Sequence, residues 1–372
     1  MKISVAMATY NGEHFIREQL ESLGAQTRLP DELVVSDDGS TDRTLEILGD
    51  FARGAPFPVR IHPNESNVGY TRNFLRAARA CTGDWVAFCD QDDIWLPKKL
   101  AIMERNSVGR DVLLMVHSAE IVDESLTPTG VRYPDFRRRN VYDGSQLPTW
   151  WIVEGFVMAF RADLIRALPD QEYERLDGMP AMPRGHDAAI SRLARILGQV
   201  VVLPDRLALH RFHGAALTSG LLPNDIRGIR TSRKLFRRVR NVLSAFGADF
   251  YVQQAGDAAN QAKIYRYLGE KQDRDEWRRK LHLAEAHYMA FSAWVAGRAR
   301  LYREPRFRRR VVQLLRLARG YLRFNGTSLI GLHACSKAIF LDGLVAIIGV
   351  DRLSKVPLDE AAAVCRDRSS QR

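Results

Sequence analysis

Three carboxylates fall within four residues at Asp90, Asp92 and Asp93, directly after the apolar run Trp85-Val86-Ala87-Phe88-Cys89. Like charges this close repel, so the arrangement makes chemical sense when a cation sits between them. Hard divalent cations take oxygen ligands. A solvated acidic turn is the plain alternative. A second pair, Asp37-Asp38, closes the apolar run Leu33-Val34-Val35, where an Asx turn and helix cap is the competing account.

These groups need strands and helices to hold them. Residues 3–8 read as a buried strand, Thr9-Tyr10-Asn11-Gly12 as the turn after it, and Glu13 to Ala25 as a helix with Phe15, Ile16, Leu20 and Leu23 on one face. Leu33 to Val35 gives a second strand, followed by a helix through Leu45, Leu48 and Phe51 that Ser40 or Thr41 would cap. Val59 to His62 and the run at Trp85 give a third and a fourth. Strands alternating with helices at this spacing predict a parallel, doubly wound sheet. Right-handed crossovers then bring Thr9, Asp37-Asp38 and Asp90 to Asp93 to one edge, where ligands of open α/β sheets bind.

The pattern continues through a strand at Val112 to Val116 and a polar, basic loop at Arg132 to Ser145. Trp150 to Phe160 is apolar except for Glu154-Gly155, which predicts a strand with a close backbone approach at Gly155. Gly185-His186-Asp187 opens a short helix, and Val200 to Leu203 is a further short strand. The α/β unit closes around Gly220. Beyond it come arginine-rich helical segments at Arg227 to Arg240, Gln261 to Ala299 and Arg306 to Arg323, then the apolar run Ala338 to Val350. That run is shorter than the roughly 20 apolar residues of a membrane span and suits a core or interfacial helix.

The division at residue 220 coincides with a change of charge. Residues 1–220 carry 25 Lys and Arg against 30 Asp and Glu, or −5, and residues 221–372 carry 30 against 14, or +16. A basic half of this kind suits nucleic acid, an anionic membrane, or plain solvation. The cysteines, Cys81, Cys89, Cys335 and Cys365, lack C-x-x-C spacing, so buried reduced thiols are expected rather than a zinc site or disulfide framework. Met1 leads straight into strand pattern without a signal peptide, which sets the expectation of a cytoplasmic protein.

Seven stretches together resemble the family 2 glycosyltransferases, within them the bacterial rhamnosyltransferase-like branch: Val5 to Gly12, Val34 to Asp42, Asn67 to Tyr70, Thr82 to Trp85, Cys89 to Trp95, Gly185 to Asp187 and Arg211 to Gly214. The resemblance implies a glycosyltransferase A-type, Rossmann-like mixed sheet over residues 1–220, followed by a basic, mainly α-helical region over 221–372. It also implies a nucleotide-diphosphate sugar across the crevice. Thr9, Tyr10 and Asp38 match nucleobase-holding positions; a ring can stack on a base, and a carboxylate can accept an imide N–H. Asp90 matches a position near the ribose and the metal, and Asp92 the ligand of a Mg²⁺ or Mn²⁺ bridging the diphosphate, with Asp93 supporting. Asp187 matches the base that takes the acceptor's proton. His186 stands where the family often has glutamate, and it could orient Asp187, contact the sugar, or lie on the surface. His213 matches a position able to add an imidazole to the cation, and Arg211 one suited to phosphate. His210 replaces an expected tyrosine, and Arg72 is a further phosphate candidate.

The function so implied is an inverting, metal-dependent sugar transfer in surface polysaccharide assembly. dTDP-L-rhamnose is the favoured donor and UDP-hexoses the alternative; the acceptor would be a glycan, free or polyprenyl-linked. The basic half would then meet an anionic membrane at its inner face or mediate oligomerisation. A nucleotidyltransferase would need a glycine-rich basic loop after the first strand, which Thr9 to Glu13 lacks. A nucleic-acid-binding protein would need zinc spacing or aromatic-and-basic strands, and no nucleic-acid partner is expected.

Overall fold

The computed structural model describes residues 1–107, 109, 111–147, 151–168, 185–212, 248–304 and 306–325. It contains two compact units, the first holding everything described up to Phe212 and the second the helices from Ala248 onward.

The first unit is built on four parallel strands: β1 (Ile3–Thr9), β2 (Glu32–Asp37), β3 (Val59–Pro63) and β4 (Trp85–Cys89). β1, β2 and β4 are buried along their whole length; β4 is apolar throughout, while polar residues at the ends of β1 and β2 pair with each other, Ser4 with Glu32 at 2.6 Å and Thr9 with Asp37 at 2.7 Å. Helices α1 (Ile16–Gly24), α2 (Thr44–Gly54) and α3 (Tyr70–Ala80) make the crossovers. They bury the faces Ile16, Leu20 and Leu23; Ile47 and Leu48; and Phe74, Leu75, Ala77 and Ala78. Each large side chain so buried stabilises by roughly 1.5–3 kcal/mol.

Past β4 the sheet stops being parallel. The short strand β5 (Ile94–Trp95) and helix α4 (Lys99–Asn106) precede the long strand β6 (Val112–Val122). Two further strands follow, β7 (Pro128–Tyr133) and β8 (Asn140–Asp143). The last two are β9 (Met158–Arg161) and β10 (Gln199–Arg211), separated by helices α5 (Ala162–Arg166) and α6 (His186–Leu197). The ten-stranded sheet has the order β3-β2-β1-β4-β9-β6-β10-β5, with β7 on β6 and β8 on β10. β9 is antiparallel to both β4 and β6, while β10 is parallel to β6. Two reversals restore the original direction, so the carboxyl end of β10 lies at the same edge as those of β1, β2 and β4.

The sheet is therefore mixed, as the family resemblance implied, and the doubly wound parallel sheet read from strand spacing alone holds only through β4. Arg132 to Ser145, expected as a loop, supplies the end of β7 and all of β8. The strand expected over Trp150 to Phe160 shrinks to β9, because residues 155–157 form a 3₁₀ turn. The short strand expected at Val200 to Leu203 extends to thirteen residues. Asp42, rather than Ser40 or Thr41, serves the start of α2 by accepting the Thr44 N–H and hydroxyl. Cys81 and Cys89 are buried free thiols, while Cys335 and Cys365 lie outside the described residues.

The second unit contains α7 (Ala248–Glu270), α8 (Asp275–Arg303) and α9 (Phe307–Asn325). A break at residues 271–274 interrupts the single helix expected over Gln261 to Ala299. Tyr251 packs on Tyr302 and Tyr265 on Tyr288, so α7 and α8 run antiparallel. The Trp294 indole donates to the Leu317 carbonyl at 3.1 Å and joins α9 to α8. No helix among the described residues is long and apolar enough to cross a membrane. Arg227 to Arg240 and Ala338 to Val350 lie outside the described residues.

Candidate active site at the carboxyl edge of the sheet

The first two loops at this edge are stitched to each other. Thr9, opposite Asp37 in the β1–β2 register, donates its hydroxyl to Asp37 Oδ2 at 2.7 Å. Ser40 donates both its N–H and its hydroxyl to the same carboxylate, at 2.8 and 2.6 Å. Asp38 is buried and accepts from the peptide N–H groups of Val68 and Gly69 at 2.7 and 2.9 Å, and from the Asn64 amide at 3.0 Å. The two carboxylates thus shape the loops that border the crevice. Tyr10 is 49% exposed at the rim, where its ring is free of the core.

Gln91 ties this rim to the acidic turn. It accepts the Tyr10 N–H at 2.9 Å and donates to the Tyr10 carbonyl at 3.0 Å. A Cβ on Gly12 would stand 2.4 Å from Gln91 Oε1, so a side chain at that position would break the clamp.

Within the acidic turn the three carboxylates differ. Asp90 and Asp92 keep partial exposure, while Asp93 is fully buried. Burial, followed by the charges of Asp93 and Asp92, pushes Asp90 well above the usual carboxylate range. Asp93 Oδ1 faces His210 Nδ1 at 2.8 Å and accepts the Arg211 N–H at 3.2 Å. His210 also stacks on Phe156 with centroids 4.0 Å apart. Burial opposes charge on this imidazole, but Asp93 outweighs it and lifts the ring to about 9. Among the described residues Asp93 Oδ2 is buried without a hydrogen-bond partner.

A second cation lies beneath the turn. Lys99 is wholly buried, donates to the Phe156 carbonyl at 2.8 Å and sits 3.7 Å over the Trp95 ring. Loss of hydration lowers it to about 7, against the pull of Cys89, Asp93 and Asp90.

Asp187 approaches from the first turn of α6, where the helix dipole favours an anion. Its carboxylate accepts the Ala188 N–H at 2.7 Å. Burial raises its affinity for a proton, and the peptide groups of Ala188, Asp187 and Gly155 and the charge of Arg192 moderate the effect. Its charge reaches Asp90 in the acidic turn.

His186, the preceding residue, is buried rather than on the surface. Its ring stacks on Phe74 at 4.0 Å and meets Phe88 edge-on at 4.6 Å. Burial drives it down to about 3, so the ring is neutral, and neither nitrogen has a hydrogen-bond partner among the described residues. A Cβ on Gly155 would lie 2.7 Å from His186 Nε2, which is the close backbone approach that Gly155 predicted.

The fold therefore puts Asp90, Asp92 and Asp93 in one turn after β4, with Tyr10 exposed beside it and Asp187 within electrostatic reach of Asp90. Thr9 and Asp38 face inward to their loops. Arg72 is exposed in the first turn of α3. Arg211 is buried, and its guanidinium donates to the Asp92 carbonyl at 3.0 Å, the Glu124 carbonyl at 2.7 Å and the Glu18 carboxylate. It fastens the acidic turn from behind instead of standing open to a phosphate. His213 lies outside the described residues. Gln91, Lys99 and Glu154 received no site role from the sequence, and His210 a lesser one than His213. Glu154 had a legible signal, a charge inside an apolar run; Lys99, beside Lys98 at a helix start, looked like a surface charge.

Residues 4–148 match the model described as glycosyl transferase family 2. This part of the chain is a family 2 glycosyltransferase domain. Over 225 residues the chain is 28% identical to an uncharacterized glycosyltransferase of Nostoc, covering 58% of this chain and 66% of that one. Identity is 33% over 147 residues to the dTDP-rhamnosyl transferase RfbG of Shigella flexneri, covering 38% and 47%. The chain spans between 59 and 66% of the length of the first curated relatives it matches. Among solved structures, Staphylococcus aureus TarS (residues 1–349) aligns with a TM-score of 0.47 at 18% identity, covering 98% of this chain and 92% of that one.

Proposed function

We propose that the chain is an inverting, divalent-cation-dependent glycosyltransferase that moves a hexose from a nucleotide diphosphate onto a glycan or lipid-linked acceptor. The supporting observation is the placement of Asp187 within electrostatic reach of Asp90, each driven toward its protonated form by burial. A carboxylate raised in this way is a better base for an acceptor hydroxyl than a solvated one. Asp187 takes the proton as the oxygen attacks the anomeric carbon, and the nucleotide diphosphate leaves on the opposite face toward Asp90 and Asp92. Tyr10 stacks on the base from the rim, and the loop fixed by Asp38 borders it. Asp90 serves the ribose.

The donor set fits Mg²⁺ or Mn²⁺. Among the described residues no three His, Cys, Asp or Glu side chains converge to hold an ion by themselves, but Mg²⁺ commonly takes one or two carboxylates plus substrate phosphates. Asp92 and Asp90 would supply those oxygens and His213 would add an imidazole, with Asp93, anchored by His210, in support. When bound, the ion stabilises charge growing on the departing diphosphate. Arg72 is a further phosphate contact from α3.

L-rhamnose from dTDP-L-rhamnose is the donor we favour, on the likeness to the Shigella relative. A UDP-hexose is the second reading, since Tyr10 and Asp38 do not distinguish thymine from uracil. The test is release of nucleotide from a panel of dTDP- and UDP-sugars with Mn²⁺ and a glycan acceptor. No turnover with any donor would defeat the proposal. Residues 1–220 would form the catalytic domain and 221–372 a region that docks on the cytoplasmic face of an anionic membrane or on a second copy, each basic side chain near the lipid contributing about 1 kcal/mol. Failure to bind anionic vesicles at low salt would remove the membrane role.

A further inference from the structure

Glu154 is the charge that interrupts the apolar stretch before β9, and three elements converge on it. Tyr133, the last residue of β7, donates its hydroxyl to Glu154 Oε1. Glu154 Oε2 is buried and has no hydrogen-bond partner among the described residues. A carboxylate oxygen in that state is costly unless a donor arrives.

The surroundings say where that donor would come from. The charge of Asp187, at the start of α6, bears on both Glu154 and Tyr133. Glu154 also feels the charge of His210, the partner of Asp93. Gly155 links the two carboxylates directly, since its backbone N–H faces Asp187. Lys99 holds the same segment by its bond to the Phe156 carbonyl at 2.8 Å. Glu154 thus lies within electrostatic reach of Asp187 and of the histidine that anchors the acidic turn. In an inverting transfer the sugar ring lies between the base and the departing diphosphate, so a residue near both Asp187 and the turn is placed to meet it.

We propose that Glu154, oriented by Tyr133, binds a hydroxyl of the transferred sugar through its free Oε2 and selects neutral sugars over uronic acids. The inference rests on the glycosyltransferase reading above. A sugar hydroxyl supplies the donor that Oε2 lacks, whereas a sugar carboxylate would meet the charges of Glu154 and Asp187 together.

The test uses the full chain with Mn²⁺ and calorimetric titration of dTDP, dTDP-L-rhamnose, UDP, UDP-glucose and UDP-glucuronate. Wild type is expected to bind a neutral nucleotide sugar more tightly than its bare nucleotide, and UDP-glucuronate more weakly than UDP-glucose. Glu154→Gln should weaken the neutral nucleotide sugar about tenfold, in line with a lost hydrogen bond to a charged group. It should leave dTDP and UDP within about twofold and narrow the gap to UDP-glucuronate. Tyr133→Phe, which keeps the ring, should move the same readouts in the same direction and serves if Glu154→Gln does not fold. Equal weakening of nucleotide and nucleotide sugar, or no change in either, overturns the role of Glu154. Wild-type protein that binds none of the five overturns the glycosyltransferase reading itself, a result distinct from the first.

Discussion

His210 Nδ1 lies 2.8 Å from Asp93 Oδ1, a histidine at the end of the longest strand paired with the fully buried member of the acidic turn. The pair ties β10 to the loop after β4 and gives the turn a fixed countercharge. It also carries a pH signature. Burial disfavours the imidazolium, yet Asp93 raises His210 to about 9, above its ordinary 6.5. The stabilisation is complete below about pH 6.5 and is lost as pH rises through about 9. His210→Gln is expected to cost roughly 2 kcal/mol at pH 6 and much less at pH 10. Urea unfolding of both proteins across that range checks it; a difference that does not shrink with pH would contradict the ion pair.

Asp187→Asn keeps shape and removes basicity. Turnover is expected to fall by roughly 10²–10⁴ while donor affinity stays within about twofold. Single-turnover kinetics beside donor titration separates the two, and near-normal turnover would remove Asp187 from its assigned role.

Asp92→Ala removes a donor oxygen from the acidic turn. Stimulation by Mn²⁺ is expected to fall at least about tenfold in apparent metal affinity, read from activity against metal concentration. An unchanged metal titration would count against this assignment.

Gly155→Ala would place a Cβ 2.7 Å from His186 Nε2. The histidine is held by Phe74 at 4.0 Å and Phe88 at 4.6 Å, so it has little room to yield. A loss of about 1–3 kcal/mol is expected in thermal or urea unfolding. A fully stable variant would show that the ring can move.

Arg211→Lys keeps the charge but not the fork that reaches Asp92, Glu124 and Glu18. Destabilisation of about 2 kcal/mol is expected in urea unfolding. A variant of normal stability with weakened donor binding would instead return Arg211 to the phosphate role.

The strand ends of the parallel half were legible because the centre of a strand buried on both faces is apolar and polar side chains gather at its end. Thr9, Asp37-Asp38 and Asp90 to Asp93 therefore mark the edge of the sheet in the sequence itself. The antiparallel half was less legible. β7 and β8 alternate little, and β10 carries Pro204, Asp205 and Arg206 inside its span, where register shifts absorb them.

What the sequence alone determined is the inventory of site chemistry: an acidic turn, an aromatic at a strand end, and a carboxylate at the start of a helix. Only the tertiary structure decided how these charges divide the work. Burial and pairing are properties of neighbours brought from far along the chain. Asp93 and His210 are 117 residues apart, and Arg211 reaches Glu18 across 193. Tertiary contacts turned His210 into a countercharge, Arg211 into a brace, His186 into a packed ring and Glu154 into an acceptor with one oxygen unsatisfied among the described residues.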